Sequence, residues 1–117
     1  MNKIIEKLKN KEGYEVFSMW TRIYRHILRG GTKRRGMGEL LLLMYFAANE
    51  PVAISMGRLA VMMESSVGNV ERAIKKLHGL DLIKIKPGLP NTYEINWDTV
   101  YQVIASMGIG LDSEVEP

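Results

Sequence analysis

One stretch of the chain carries side chains that can bind both bases and phosphates. Asn69, Arg72, Lys75 and Lys76 recur at helical spacing within residues 67–78, which places them on one side of a helix. Asn and Arg can each form paired hydrogen bonds with the edge of a purine base, and Lys can neutralise a phosphate. The spacing therefore predicts a helix that contacts duplex DNA. The alternative is an amphipathic surface helix with ordinary solvated charges.

The residues nearest to base edges should lie in the first turn of this helix, because DNA-reading helices contact bases mainly with their N-terminal residues. In this chain those residues are Ser65, Ser66, Gly68 and Asn69, with Arg72 one turn further on. Gly68 has no side chain and would let the backbone approach the groove closely. Asn69 is matched to adenine and Arg72 to guanine, since each can form two hydrogen bonds with that base.

A short preceding helix and a tight turn are predicted to hold the polar face in place. Ser55 is suited to cap a helix over residues 56–63, residues 64–66 form the turn, and Ser66 can cap the next helix through its hydroxyl. Gly79 is expected to end that helix in the left-handed conformation that glycine adopts readily. The predicted inward stripe of the second helix consists of Val67, Val70, Ile74 and Leu77.

A β-hairpin is predicted directly after this helix. Its two strands contain Leu82, Ile83 and Ile85, and then Tyr93 and Ile95, with turn residues between them. Lys84 and Lys86 alternate on one face of the first strand, as the two-residue period of a strand requires. They are expected either to contact the DNA backbone or minor groove, or to protect an exposed edge strand, as lysines commonly do.

A basic stretch lies upstream of these elements. Its residues Arg22, Arg25, Arg29, Lys33, Arg34 and Arg35 fall between Glu15 and Glu39, with no acid among them. Lys33, Arg34 and Arg35 sit in a glycine-flanked loop that is predicted to hold phosphates. The alternative is again a solvated face.

The remaining apolar patterns predict a mostly helical core. Helices are expected over residues 2–11, 17–28, 40–48 and 98–107, with a short strand at residues 52–54. The helix over residues 40–48 is apolar on nearly every side, so it should form the buried centre. Trp20, Tyr24, Phe46 and Trp97 are interpreted as core residues rather than base-stacking ones, because they fall on apolar stripes. The fold class predicted is α+β, mostly helical.

Length and composition narrow the possible functions. The chain has 117 residues and a net charge of +3, or about +6 (16 basic against 10 acidic residues) without Asp112, Glu114 and Glu116. We expect one domain over residues 1–111 and a disordered acidic tail over residues 112–117. The chain shows no signal-peptide pattern and no apolar run long enough to span a membrane, so a cytoplasmic protein without membrane contact is expected.

Enzyme chemistry finds no support in the sequence. There are no cysteines and only two histidines, His26 and His78, so no metal site is expected. Phosphate-binding loops, nucleophile motifs and paired carboxylates in an apolar context are missing as well. We therefore predict a binding protein that needs no cofactor.

The segment ISMGRLAVMMESSVGNVERAIKKLHGLDLIKI resembles the winged helix-turn-helix domains of bacterial regulators and of plasmid and phage replication proteins. Their shared pattern is xxLAxxxxxSxxxVxxAIxxLxxxGLI. The matching positions are Leu59, Ala60, Ser65 or Ser66, Val70, Ala73, Ile74, Leu77 and Leu80 to Ile83. The lead-in FSMWTRIYRHILRGG…GELLLLMYFAANEPV is similar to that of plasmid replication initiators, so the resemblance covers residues 16–97. Asp81 departs from the pattern, which usually has a small or basic residue there.

The resemblance implies a winged helix with extra N- and C-terminal helices that binds palindromic or repeated duplex DNA as a homodimer. Plasmid partition by centromere binding, replication initiation and transcriptional repression all fit this family, and a filament-forming NTPase or a replication protein would be the partner in the first two. The terminal helices could supply the dimer interface or pack on their own subunit. The competing class is a protein–protein module that binds an acidic partner through the same surface.

Overall fold

The helices and strands follow the polar and glycine-rich breaks in the sequence. The computed structural model of the protein describes residues 8–9, 13–28 and 36–107. Its elements are α1 (Gly13–Leu28), α2 (Met37–Asn49), β1 (Val52–Ala53), α3 (Met56–Met62), α4 (Val67–Gly79), β2 (Ile83–Lys86), β3 (Thr92–Ile95) and α5 (Trp97–Ser106). The α+β, mostly helical class is therefore confirmed, and each predicted element within the described residues is present to within a few residues at its ends.

Three predicted features lie wholly or largely outside the described residues. They are the helix over residues 2–11, the loop that contains Lys33, Arg34 and Arg35, and the acidic tail over residues 112–117. Two residues of the first of these are described. Leu8 is fully buried, and Lys9 Nζ lies 5.1 Å from the centre of the Trp97 ring. At this point the N-terminal segment packs on its own subunit.

The sheet has the strand order β1-β3-β2, and both neighbouring pairs are antiparallel. The central strand carries Tyr93, which pairs with Val52 on one side and with Ile85 on the other. The Tyr93 ring stacks on Phe46 of α2, with ring centroids 5.1 Å apart and planes 6° apart. This aromatic pair joins the sheet to the core helix.

The core helix α2 is buried on one side and open on the other. Its buried residues are Leu40, Leu42, Leu43, Phe46 and Ala47. On the opposite side Met37 is 47% exposed and Leu41 is 44% exposed. The predicted buried centre is therefore present, but only on the inner side of α2, where α1, α4 and β3 pack against it.

Helix α5 packs against α1 of the same chain. Val100 and Ile104 are buried, and the rings of Trp20 and Trp97 lie 6.0 Å apart. The inward face of this helix is thus occupied within the subunit, whereas Tyr101 on its outer side is 45% exposed.

Glu50 directly follows α2, and its carboxylate is hydrogen-bonded to the end of the hairpin and to the start of α5. The Ile95 N–H donates to Glu50 Oε1 at 2.8 Å, and Trp97 Nε1 donates to Glu50 Oε2 at 2.5 Å. Both oxygens therefore hold a donor that would otherwise lack a partner at this partly buried position. The sequence alone does not indicate this role, because both partners lie more than 40 residues further along the chain.

Tyr24 is a core residue whose hydroxyl is buried. The side chain is buried, and its Oη finds no hydrogen-bond partner in the described part of the chain. Burial, together with the nearby Glu39 carboxylate, raises the pKa of Tyr24 from 10.0 to about 12. The neutral form is therefore favoured in the folded state.

We expect Tyr24→Phe to raise the free energy of unfolding by about 1 kcal/mol at pH 7, because it removes a buried, unpaired hydroxyl. Since the folded pKa is the higher one, ionisation of the tyrosine in the unfolded state adds a further loss of stability as the pH rises from 10 to 12. The advantage of the variant should therefore grow by roughly 1.4 kcal/mol at pH 11. Urea unfolding at both pH values tests this, with Tyr101→Phe, at an exposed tyrosine, as the control. Equal stability of Tyr24→Phe and the wild-type protein at pH 11 would contradict it.

Candidate nucleic-acid interface

Helices α3 and α4 both begin at a serine cap, as predicted. Ser55 Oγ accepts the Arg58 N–H at 3.2 Å, and Ser66 Oγ accepts the Asn69 N–H at 3.1 Å. Each hydroxyl satisfies a backbone donor that has no partner inside the helix. The first turn of α4 is therefore fixed in place by its own sequence.

The turn between α3 and α4 is closed by a residue in the left-handed conformation. Glu64 has a φ of 52°; its N–H bonds to the Val61 carbonyl at 3.1 Å, and the Ser65 N–H bonds to the Ala60 carbonyl at 2.9 Å. This pair of hydrogen bonds defines a Schellman motif. It sets the direction in which α4 leaves α3.

The opposite end of α4 repeats this motif and corrects the prediction for Gly79. The helix includes Gly79, and Asp81 has the positive φ, at 63°. The Asp81 N–H bonds to the His78 carbonyl and the Leu82 N–H to the Leu77 carbonyl, each at 3.0 Å. Leu77 and Leu82 are both fully buried, so their packing decides where the chain turns.

Asp81, the departure from the family pattern, also contacts the last helix. Its Oδ2 accepts the Thr99 hydroxyl at 3.1 Å. The acidic side chain therefore links the end of α4 to α5, which a small or basic residue could not do in this way.

The buried stripe of α4 consists of Val70, Ala73, Ile74 and Leu77. Val67, which was predicted to join it, is 42% exposed, so that prediction is wrong. Val67 is the first residue of the helix, where the chain extends beyond the elements that cover the later turns. The predicted contact residues Ser65, Ser66, Asn69, Arg72, Lys75 and Lys76 are all exposed, and Gly68 is half-buried.

The side chains of Ser65, Asn69 and Arg72 form one hydrogen-bonded chain across the first turns of α4. Asn69 Nδ2 donates to Ser65 Oγ at 3.3 Å, and Arg72 Nη2 donates to Asn69 Oδ1. A Cβ at Gly68 would lie 3.7 Å from Arg72 Nη1. The guanidinium therefore extends back over Gly68 instead of pointing freely into solvent.

The hairpin places its two lysines in different surroundings. Lys84 and Lys86 are both exposed, as predicted, but Lys84 is directly opposite Glu94 and Lys86 is opposite Thr92. An acid across the strand reduces the positive potential at Lys84. Of the two, Lys86 is the better placed to attract a phosphate.

The tip of the hairpin is held by a side chain and presents an apolar residue. Asn91 Oδ1 accepts the Gly88 N–H at 2.9 Å, and Leu89 is fully exposed. An open groove of about 610 Å³ runs from this tip to α3, lined by Tyr45, Val52, Ala53, Ile54, Ser55, Arg58, Met62, Leu89 and Pro90.

Sequence reasoning missed Arg58, an exposed cation in the first turn of α3 that lines this groove. Its position next to the inward pair Leu59 and Ala60 was the signal that could have found it. Among the predicted contact residues, the structure brings those of the turn and α4 onto one surface. Lys33, Arg34 and Arg35 lie outside the described residues.

Other kinds of site are not apparent in the described residues. No group of three or more histidine, cysteine, aspartate or glutamate side chains is arranged there to hold a metal ion. None of the helices in residues 8–9, 13–28 and 36–107 combines the length and hydropathy needed to cross a membrane. Comparison of the chain with family models, with curated proteins and with solved structures found no match.

Proposed function

We propose that the protein is a winged helix-turn-helix protein that binds duplex DNA sequence-specifically. The observation that carries this proposal is the arrangement of α3, its tight turn and α4, followed at once by the β2–β3 hairpin. In this interpretation α4 enters the major groove and the hairpin is the wing. The exposed polar side chains of α4 support it, since they lie opposite the buried stripe.

The roles of the contact residues follow from their positions. Ser65, Ser66, Gly68, Asn69 and Arg72 belong to the end of α4 that would meet base edges. The remaining cations, Lys75, Lys76, Lys84, Lys86 and the loop residues Lys33, Arg34 and Arg35, would hold phosphates. The short hairpin tip supports the helix rather than reading an extended sequence.

We further propose that the protein acts as a homodimer on a palindromic or repeated site. Its setting would be plasmid or phage partition, DNA replication or transcriptional repression, with a filament-forming NTPase or a replication protein as possible partners. Val100 and Ile104 are already buried against their own subunit, so the inward face of α5 is not the dimer interface. A mass near twice 13.3 kDa in light scattering would support the dimer. A mass near 13.3 kDa for the free protein at micromolar concentration, together with a single protomer on each DNA site, would contradict it.

The salt dependence of DNA binding tests the proposal. The logarithm of the affinity should fall linearly with the logarithm of the salt concentration, with a slope of about −0.9 for each phosphate contact. Lys75→Ala and Lys76→Ala should each make this slope shallower by about one. Lys9→Ala removes the same charge near Trp97 and serves as the matched control, with no expected change. An unchanged slope in both α4 variants would contradict binding through α4.

A second candidate is a protein–protein module with an acidic partner. The observation that favours it is the apolar groove, with Leu89 fully exposed and Met62 half exposed beside Arg58. This function predicts no retention of duplex DNA at low salt. Retention that disappears at moderate salt and depends on Lys75 and Lys76 would favour DNA instead.

A further inference from the structure

The side chains of Asn69 and Arg72 are hydrogen-bonded to each other, which bears on how they would read a sequence. We propose that Asn69 is a positioning residue that orients the Arg72 guanidinium toward a guanine, and that it does not itself read an adenine. This inference rests on the proposed binding of duplex DNA. It names Arg72 as the residue that sets base preference at this point of α4.

Both ends of the Asn69 amide already make a hydrogen bond within α4 and its turn. To read adenine, an asparagine must accept a hydrogen bond with its oxygen and donate one with its nitrogen to the same base. In this protein the oxygen accepts from Arg72 Nη2, and the nitrogen donates to Ser65 Oγ at 3.3 Å. Each amide atom keeps one further hydrogen-bonding position, but the two present contacts fix the plane of the amide, so an adenine could use those positions only if it approached in that plane.

The guanidinium of Arg72 keeps most of its hydrogen-bond donors. It has five N–H donors, and its contact with Asn69 uses one of them. Nη1 lies over Gly68, where the missing side chain leaves the surface open. Enough donors therefore remain for the two acceptors on the major-groove edge of guanine.

Ordering a long side chain on binding costs free energy. An exposed arginine samples many rotamers and loses this freedom on binding. The bond to Asn69 restricts the guanidinium before DNA arrives, and Ser65 in turn fixes which end of the amide faces Arg72. Such restriction can improve affinity by about tenfold at most.

Two substitutions of Asn69 separate positioning from direct reading. Asn69→Asp keeps an acceptor for Arg72 but loses the amide that adenine requires. Asn69→Gln keeps an amide that can read adenine, but its longer side chain moves the acceptor away from Arg72. The preferred sites of the wild-type protein are first selected from random duplexes, and affinities are then measured for each single-base change.

We expect Arg72→Ala to reduce a guanine preference at one base position by about tenfold. Asn69→Gln should reduce the preference at that same position, and combining the two should cost little more than Arg72→Ala alone. Asn69→Asp should retain the guanine preference while its added charge weakens binding to all sequences alike. An adenine preference at a separate position that Asn69→Gln keeps and Asn69→Asp loses would overturn the inference and leave DNA binding intact.

A measurement on the free protein tests the contact without DNA. Rotation of the Arg72 guanidinium, followed by nitrogen NMR, should be slowed in the wild-type protein and in Asn69→Asp, and fast in Asn69→Gln. Equal, fast rotation in all three would overturn the inference. Failure of the wild-type protein to bind any duplex at low salt would overturn the proposed function and the inference with it.

Discussion

Glu50→Ala should lower the free energy of unfolding by about 3–5 kcal/mol. The substitution removes two hydrogen bonds to a charged acceptor, each of which contributes about 1.5–3 kcal/mol. It also leaves the Ile95 N–H and Trp97 Nε1 without their partner at a partly buried position. Urea unfolding followed by tryptophan fluorescence measures the effect, because Trp97 lies at the affected contact.

Two variants control for this prediction. Glu50→Gln keeps a carbonyl acceptor for one donor but presents an amide to the other, so it should lose about half as much stability. Glu94→Ala removes the same charge from an exposed position on β3 and should change stability by less than about 0.5 kcal/mol. If Glu50→Ala is no less stable than Glu94→Ala, Glu50 does not hold α5 to the hairpin.

Gly68→Ala should stabilise the protein and weaken the proposed binding to DNA. A Cβ at this position meets nothing closer than Arg72 Nη1 at 3.7 Å, so the methyl group fits without strain. Alanine favours the helix over glycine by about 1 kcal/mol. The same methyl group would stand between α4 and the floor of the major groove, and its displacement should lower affinity by about tenfold or more, as overpacking by one methyl group costs 1–3 kcal/mol.

Gly79→Ala is the matched control, because Gly79 is also in α4 and a Cβ there meets nothing within 4 Å. It lies about 16 Å along the helix from Gly68, away from the predicted contact with bases. The Gly79→Ala variant should be more stable than the wild-type protein and should bind DNA with the same affinity. Thermal unfolding and DNA titration of both variants make the comparison. Wild-type affinity in Gly68→Ala would show that the first turn of α4 does not approach DNA.

Features that depend on neighbours in the sequence were predictable. Ser55 and Ser66 cap their helices through contacts three residues ahead, so the chain near each serine contains all the partners involved. The alternation of Lys84 and Lys86 on the exposed face of β2 follows from strand geometry alone. The helices, the hairpin and the exposed face of α4 could therefore be predicted from local patterns.

Features that depend on distant packing were not predictable in the same way. Glycine chemistry favours Gly79 as the residue that ends α4, but the burial of Leu77 and Leu82 moves the turn to Asp81. Glu64 takes a left-handed conformation that glutamate does not favour, because the hydrogen bonds that close the turn require it. Burial of the flanking leucines at Asp81, and the closing hydrogen bonds of the turn at Glu64, thus outweigh the preference of the single residue.

The contacts among the residues of the predicted site could not be predicted from the sequence either. A helical projection places Asn69 and Arg72 on one face, but it does not show that their side chains bond to each other and to Ser65. The pairing of Lys84 with Glu94 became visible only with the strand register. The regular spacing of residue types thus indicated which face of the protein is polar and exposed. The contacts among the residues of that face could be seen only in the structure.

The contacts of Glu50 also constrain the order in which a newly made chain can fold. They join positions 45 and 47 residues apart in the sequence, so α2, α3 and α4 leave the ribosome before Glu50 can find its partners. Until Trp97 has left the ribosome, Glu50 cannot complete its pair of hydrogen bonds, and α1 lacks the helix α5 that packs against it. The last described helix therefore completes the domain after synthesis of the helices proposed to meet DNA, and Trp97 reports the moment at which it does so.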